Sequence, residues 1–267
     1  MDKFQKELIE IEKIYNIIVL FWCIHGSRGC GREQRNSDYD IGFIYLDKSD
    51  RYKYIHNKEF GDLIGVNLKH LMDMQKKHTM EFNRYKKYVN WDSDFDEKIP
   101  SLDYRTIYHW MKSPYIFHST DFLRKNKRYI EKYFYAKDVL NYYIPRIKGN
   151  LSEFLYVEYP LIKRYLRAIH SILSAEWIIK NATAPPMHFK DLLLISNERE
   201  ICNKVQLLRY LNYWGLKEHY KRDDNLNQYI EKKIENIITK SKYMPMADTF
   251  DWDAFDKIYF RTLSKYT

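Results

Sequence analysis

Glycine is scarce in this chain, with eight among 267 residues. Cysteine is scarcer: Cys23, Cys30 and Cys202 stand far apart, without the paired spacing of a zinc site or a disulfide framework. That usage fits a reducing, cytoplasmic setting. Long apolar runs are missing too. The longest covers residues 17–24, whereas a membrane-spanning helix needs about 20 residues. The first fifteen residues lack the apolar core and cleavage site of a secretory leader, so a soluble protein is expected. No internal repeat or low-complexity linker is visible, and none of the nine histidines shows a metal-ligand spacing such as HExxH.

Other features are plentiful. Hydrophobic residues make up 45% of the chain, enough for a globular core. Aromatics reach 17% and the formal net charge is +9. The charge attracts polyanions and nucleotides in a salt-dependent way, although many basic proteins never meet nucleic acid.

Apolar spacing predicts a first helix over 4–15, ended at Asn16. IIVLFWCI (17–24) reads as a buried strand, DYDIGFIYL (38–46) as a second and EFGDLIG (59–65) as a third. The basic, aromatic stretch RYKYIHNK reads as a connection, NLKHLMDMQKK as a helix, and the polar 78–100 region as a surface insertion. Helical spacing dominates beyond Pro114, over 120–135, 137–156, 160–180, 198–217, 224–241 and 250–264. The expected fold is α+β. A small mixed-sheet domain occupies 1–117 and an all-helical domain 118–267.

Three of the eight glycines crowd into HGSRGCG, and a short polar stretch then leads to Asp38-Tyr39-Asp40. In a strand, Asp38 and Asp40 project from one face. Two carboxylates so placed can bridge hard divalent ions such as Mg²⁺, and a two-metal site clamps both attacking and leaving oxygens of a phosphoryl group. Asp62, in the third strand, is the candidate for a third ligand, with Glu59 as its substitute. Gly26 lets the backbone approach a phosphate, while Ser27 offers an amide and a hydroxyl. If 27–31 opens a short helix, its N-terminus favours anions. Arg28 can add a charge-assisted bond to phosphate.

An apolar strand, Gly-Ser, a ten-residue gap and Asp-x-Asp inside a second apolar strand resemble the signature of the DNA polymerase beta superfamily of nucleotidyltransferases. More narrowly, GSRGCGREQRNSDYDIGFIY, DLIGVNLKHL, WMKSPYIF, IKGNLSEFL, IKRYLRAIHSILSAEWI and PPMHFKDLL are similar to segments of a bacterial and phage family of predicted nucleotidyltransferases associated with RNA repair. These segments run from about residue 18 to 193. The resemblance implies a nucleotidyltransferase fold with Asp38, Asp40 and Asp62 as the Mg²⁺- or Mn²⁺-binding carboxylates. It also puts Lys148, Asn150 and Lys163 of the helical part toward the triphosphate of an NTP, with Arg164 behind them. Four departures stand out. Gly29-Cys30 replaces an Ala followed by an aromatic, Val66-Asn67 replaces Trp-Asp, Pro145 interrupts a helix, and the insertion near 78–100 separates segments that lie closer in the family.

The expected reaction is transfer of an NMP from an NTP to a hydroxyl, releasing pyrophosphate. RNA is the favoured acceptor; a protein or small-molecule hydroxyl, or a non-catalytic RNA-binding protein keeping the fold, are the alternatives. For LRKNKRYIEKYFYAK (123–137), contact with RNA competes with an ordinary amphipathic helix. For Lys163, Arg167 and His170, an ordinary solvated stripe competes with a phosphate-facing one. Trp110 and Trp177 read as core, and His25 as a strand-end residue.

Overall fold

The apolar run after Asn16 becomes strand β1 (Ile18–Ile24), preceded by helix α1 (Asp2–Tyr15). Asn16 takes the left-handed backbone (φ 52°) that commonly stops a helix. The computed structural model describes residues 2–47, 49, 51, 54–57, 62–79, 105–132, 134–154, 157–194, 196, 198–245 and 252–266. Glu59 and most of the segment read as an insertion lie outside these residues.

β1 pairs antiparallel with β2 (Asp40–Leu46) and with β5 (Ile116–Ser119). β2 runs parallel to β4 (Asp62–Asn67), which pairs antiparallel with β3 (Tyr54–Asn57), giving the order β3-β4-β2-β1-β5. The expected mixed sheet is therefore present, with three corrections. RYKYIHNK contributes edge strand β3 instead of a plain connection. The third expected strand begins at Asp62 among the described residues, and β5 is an addition. Both β3 and β5 are short edge strands, four residues each, too brief to show a period.

One face of the sheet buries Trp22, Ile41, Phe43, Tyr45 and Leu63 against Leu8 and Ile11 of α1. The other packs Cys23, Ile44 and Val66 against Leu71 of α3 (Leu68–Thr79), Trp110 of α4 (Arg105–Trp110), and Phe122 and Ile130 of α5 (Asp121–Lys132). Ile258 of α11 (Trp252–Tyr266) joins the same cluster, so the last helix of the chain returns to the sheet. β5 spans the boundary expected at 117. Asn67, one of the departures, caps α3 through Oδ1, which accepts from Lys69 N at 2.9 Å.

A second core surrounds α7 (Ile162–Asn181), buried along most of its length. α6 (Ala136–Phe154), α8 (Phe189–Leu193), α9 (Arg199–Tyr213) and α10 (Asp224–Lys242) pack around it. The protein is α+β. Helix α6 continues through Pro145, which is solvent-exposed, so its ring meets water on one side. α9 stops four residues before the expected 217, at a turn where Gly215 has φ +64°.

Candidate active site at one end of the sheet

Where β1 ends, the His25 amide donates to Asp40 O at 2.8 Å, tying the glycine loop to the start of β2. Gly26 turns the chain with φ +61°. A side chain there would be strained, and its Cβ would fall on the Asp40 carboxylate. One helical turn, α2 (Gly26–Gly29), follows, as anticipated for the loop. The Ser27 amide is directed at the Asp40 carboxylate, so the donor expected to grip phosphate serves a metal-ligand candidate.

Arg28 also has a different partner from the one anticipated. Its Nε and Nη2 donate to Ser37 O at 3.0 and 2.6 Å, and Nη2 donates to Arg35 O at 3.2 Å. Its guanidinium lies 4.2 Å from the centre of the Tyr39 ring. Arg28 therefore braces the polar gap and fixes the approach to Asp38-Tyr39-Asp40.

Asp40 and Asp62 are direct partners in the parallel pairing of β2 with β4. Adjacent strands lie about 4.8 Å apart, so the two carboxylates start side by side at one end of the sheet. Asp38 stands two residues upstream. Asp38 and Asp62 are exposed and Asp40 is half-buried. Burial raises the Asp40 pKa above the ordinary carboxylate value, and the negative charges of Asp62 and Asp38 raise it further against the Ser27 amide. Among the described residues, no three His, Cys, Asp or Glu side chains stand close enough as placed to enclose a metal ion. The chemistry of the donor set nevertheless suits a hard divalent ion: three carboxylates at one end of the sheet, two of them on exposed side chains with rotamer freedom to turn toward an ion.

Beneath the carboxylates is a wall that sequence reasoning left unused. His25 Nε2 is buried without a hydrogen-bond partner, and its ring lies 5.5 Å from that of Trp110. Burial and then the neighbouring His109 lower its pKa to about 4, so it is a neutral imidazole at physiological pH. Cys30 Sγ lies 3.9 Å from His109 Nε2. Burial alone would raise the thiol pKa, but Arg32, His170 and His109 outweigh it and bring it well below the ordinary value. His170 is buried and its Nε2 meets Met187 O at 2.7 Å, which removes it from the stripe shared with exposed Lys163 and Arg167. The only sequence signal for this wall was Cys30 inside the glycine loop.

Gly29, where the family resemblance leads to Ala, is packed down. A Cβ there would come within 2.7 Å of Met187 Sδ and 2.8 Å of Ile24 O. The helical layer holds the rest of the loop. Phe189 N donates to Cys30 O at 2.9 Å and Arg209 Nε to Gly31 O at 2.8 Å. Asn212 Nδ2 donates to Arg32 O and Glu33 O at 3.0 and 3.3 Å.

Lys163 is exposed in the first turn of α7 and Lys148 is exposed on α6; neither is brought into contact with the carboxylates among the described residues. Asn150 lies on α6, but its side chain is outside the described set. In the basic, aromatic run, Ile130 is core and Tyr129 is exposed, while Arg124 and Lys125 pair with Asp121 just ahead of it. Its residues up to Lys132 belong to α5 and those from Ala136 to α6.

A glycine turn closing β1, and facing aspartates opening β2 and β4, define a polymerase beta-like protein. The chain belongs to the RNA repair pathway DNA polymerase beta family, whose sequence profile matches residues 1–78 and 105–261. It is also 24% identical over 239 residues to the uncharacterized protein YcgL of Bacillus subtilis strain 168, covering 88% of this chain and 86% of that one. No solved structure matches it. Among the described residues, no helix is long and apolar enough to cross a membrane.

Proposed function

We propose that the chain is a Mg²⁺- or Mn²⁺-dependent nucleotidyltransferase that moves an NMP from an NTP to a hydroxyl of RNA. One observation carries this reading. Asp40 and Asp62 face each other at the start of parallel strands, with Asp38 two residues ahead of β2 in the chain and the Gly26 backbone against Asp40. Three acids held together repel one another, and a protein that only bound RNA would gain nothing from that cost. The metal, when bound, would neutralise triphosphate charge and draw the reacting oxygens together.

Asp38 and Asp40 would hold the ions. Asp62 would hold the acceptor side and take up the hydroxyl proton. The acceptor oxygen then bonds to the α-phosphorus as the bond to the α–β bridging oxygen breaks, and pyrophosphate leaves with that electron pair. Ser27 offers its hydroxyl to the phosphates, while Arg28 keeps the loop in shape. Lys148, Asn150 and Lys163 would reach the triphosphate only if α6 and α7 approach the sheet on substrate binding.

The test is incubation of the protein with α-³²P-labelled NTPs, Mg²⁺ or Mn²⁺, total RNA and cell lysate. Label is expected in RNA, and Asp40→Asn should lower it at least about a hundredfold, the scale of losing one preorganised charge-stabilising group. Label in protein or in small molecules would move the acceptor to those classes. No label with any acceptor, or label that survives Asp40→Asn, overturns the reading.

A further inference from the structure

The loop after the glycine turn has a second side, facing away from the aspartates toward α9. A cavity of about 230 Å³ lies there, lined by Glu33, Arg209, Tyr210, Tyr213 and Trp214 among others. Tyr210 and Trp214 are 57% and 49% exposed, so both rings are open to solvent. Both are carried on well-fixed backbone. Arg35 N donates to Tyr213 O at 2.9 Å, and Tyr213 packs edge-on against Trp214 with centroids 5.1 Å apart. The Arg35 guanidinium stands 5.6 Å from the Trp214 ring centre.

The acidic group of the cavity is Glu33, with Gln206 and Arg209 beside it in the lining. Its Oε2 is buried with no hydrogen-bond partner, although a carboxylate oxygen in that position calls for a donor. Arg209 is a charged neighbour of Glu33 but makes no hydrogen bond to that oxygen; its Nε is committed to Gly31 O. The cleft therefore offers flat rings open to solvent, an acceptor without a donor, and a cation at the rim.

We propose that this cleft receives one unstacked nucleobase of a single-stranded RNA, resting on the reading of RNA as the acceptor. A flat ring would lie against Trp214 or Tyr210, which is how single-stranded bases are commonly held. Its N–H groups would pair with Glu33 once the carboxylate turns its buried, unpartnered oxygen into the cleft. Guanine presents two adjacent N–H donors, cytosine and adenine an exocyclic amine, and uracil a single N–H flanked by carbonyls that a carboxylate repels. The expected order is guanine first and uracil last. The volume falls below the ~300–1,000 Å³ of sites for drug-sized ligands, which suits one base better than a whole NTP. Arg35 at the rim is placed for the backbone phosphate. Because the same loop carries Gly26 and Ser27 at its other end, a base held here keeps its strand next to the aspartates.

The experiment is fluorescence anisotropy with dye-labelled single-stranded hexaribonucleotides. Each has a uridine background and a single central G, A, C or U, and each is titrated with the full chain at fixed salt. Trp214→Ala is expected to weaken binding about fivefold to a hundredfold, the range for losing one stacked base, and Trp214→Phe to restore most of it. Glu33→Gln is expected to erase the preference for G over U while keeping stacking. Circular dichroism melts confirm that each variant is folded. The proposal is overturned if wild type binds none of the oligomers, if Trp214→Ala and Tyr210→Ala bind like wild type, or if Glu33→Gln keeps the base order. Its failure is separable from that of the transfer reading. Asp40-dependent labelling of RNA with unchanged binding by Trp214→Ala sinks the cleft alone. Trp214-dependent, base-ordered binding without any labelling sinks the transfer alone.

Discussion

Asp40 shows how a functional group acts against the fold that holds it. Its pKa is raised, through burial and then through Asp62 and Asp38. Between the ordinary carboxylate value and that raised value, the folded chain binds more protons than the unfolded one, so stability falls as pH rises through this window. Above it, the penalty for the ionised carboxylate is fully present; below the ordinary value it vanishes. Asp40→Asn should therefore raise the melting temperature of metal-free protein at neutral pH, and the gain should disappear in acid below the ordinary carboxylate range. Thermal melts of both proteins across pH, with chelator present, check this. A variant less stable than wild type at pH 7 would mean that the Ser27 amide outweighs burial and repulsion. Added Mg²⁺ should reverse the order, because a cation held by the carboxylates stabilises only the wild type.

At the level of elements, the sequence was most legible where a pattern ran long enough to show its period. α1, β1, β2 and the long helices follow from spacing alone. The strand expected from Asp38 starts two residues later, at Asp40, so the alternation that would set both acids on one face does not extend to Asp38. β3 and β5 do not follow from spacing, because edge strands of four residues take their identity from a partner across the sheet. The role of Arg28 was hidden for a similar reason: its carbonyl acceptors lie seven and nine residues away across a folded loop. Gly42 was equally opaque, since in sequence it is only a glycine inside a strand. In the structure, a Cβ at Gly42 would run into the Trp110 ring, which is 2% exposed and borders His25. Gly42→Ala should thus cost about 1–3 kcal/mol by overpacking, read from the urea midpoint with the slope unchanged. It should also lower activity, since the displaced indole presses on the wall beneath the aspartates. A stability equal to wild type would show that Trp110 yields without strain.

Across the whole molecule, the helical layer shapes the glycine loop of the candidate site through backbone carbonyls. Phe189, Arg209 and Asn212 each donate to the segment 30–33, and none of these bonds depends on the identity of the loop side chain. Such coupling predicts a difference between two buried asparagines of similar burial. Asn212 on α9 and Asn227 on α10 are each 4% exposed, and Asn227 Oδ1 accepts from Tyr165 OH at 2.8 Å inside the helical core. Asn212→Ala and Asn227→Ala should each cost about 1–3 kcal/mol, because each leaves buried polar groups short of a partner. Their effects on function should part. Asn212→Ala frees the Arg32 and Glu33 carbonyls, so the loop carrying Gly26 and Ser27 loses its brace and KM for the NTP should rise several-fold. Asn227→Ala should leave KM unchanged, since its partner belongs to the core around α7. Denaturant unfolding sets the two variants at matched stability, and initial rates against NTP concentration then separate them. If both raise KM together, the helical layer acts only as general support. If Asn212→Ala alone does so, the fixed loop is a product of both layers, which places half of the candidate site's architecture about 180 residues beyond its motif.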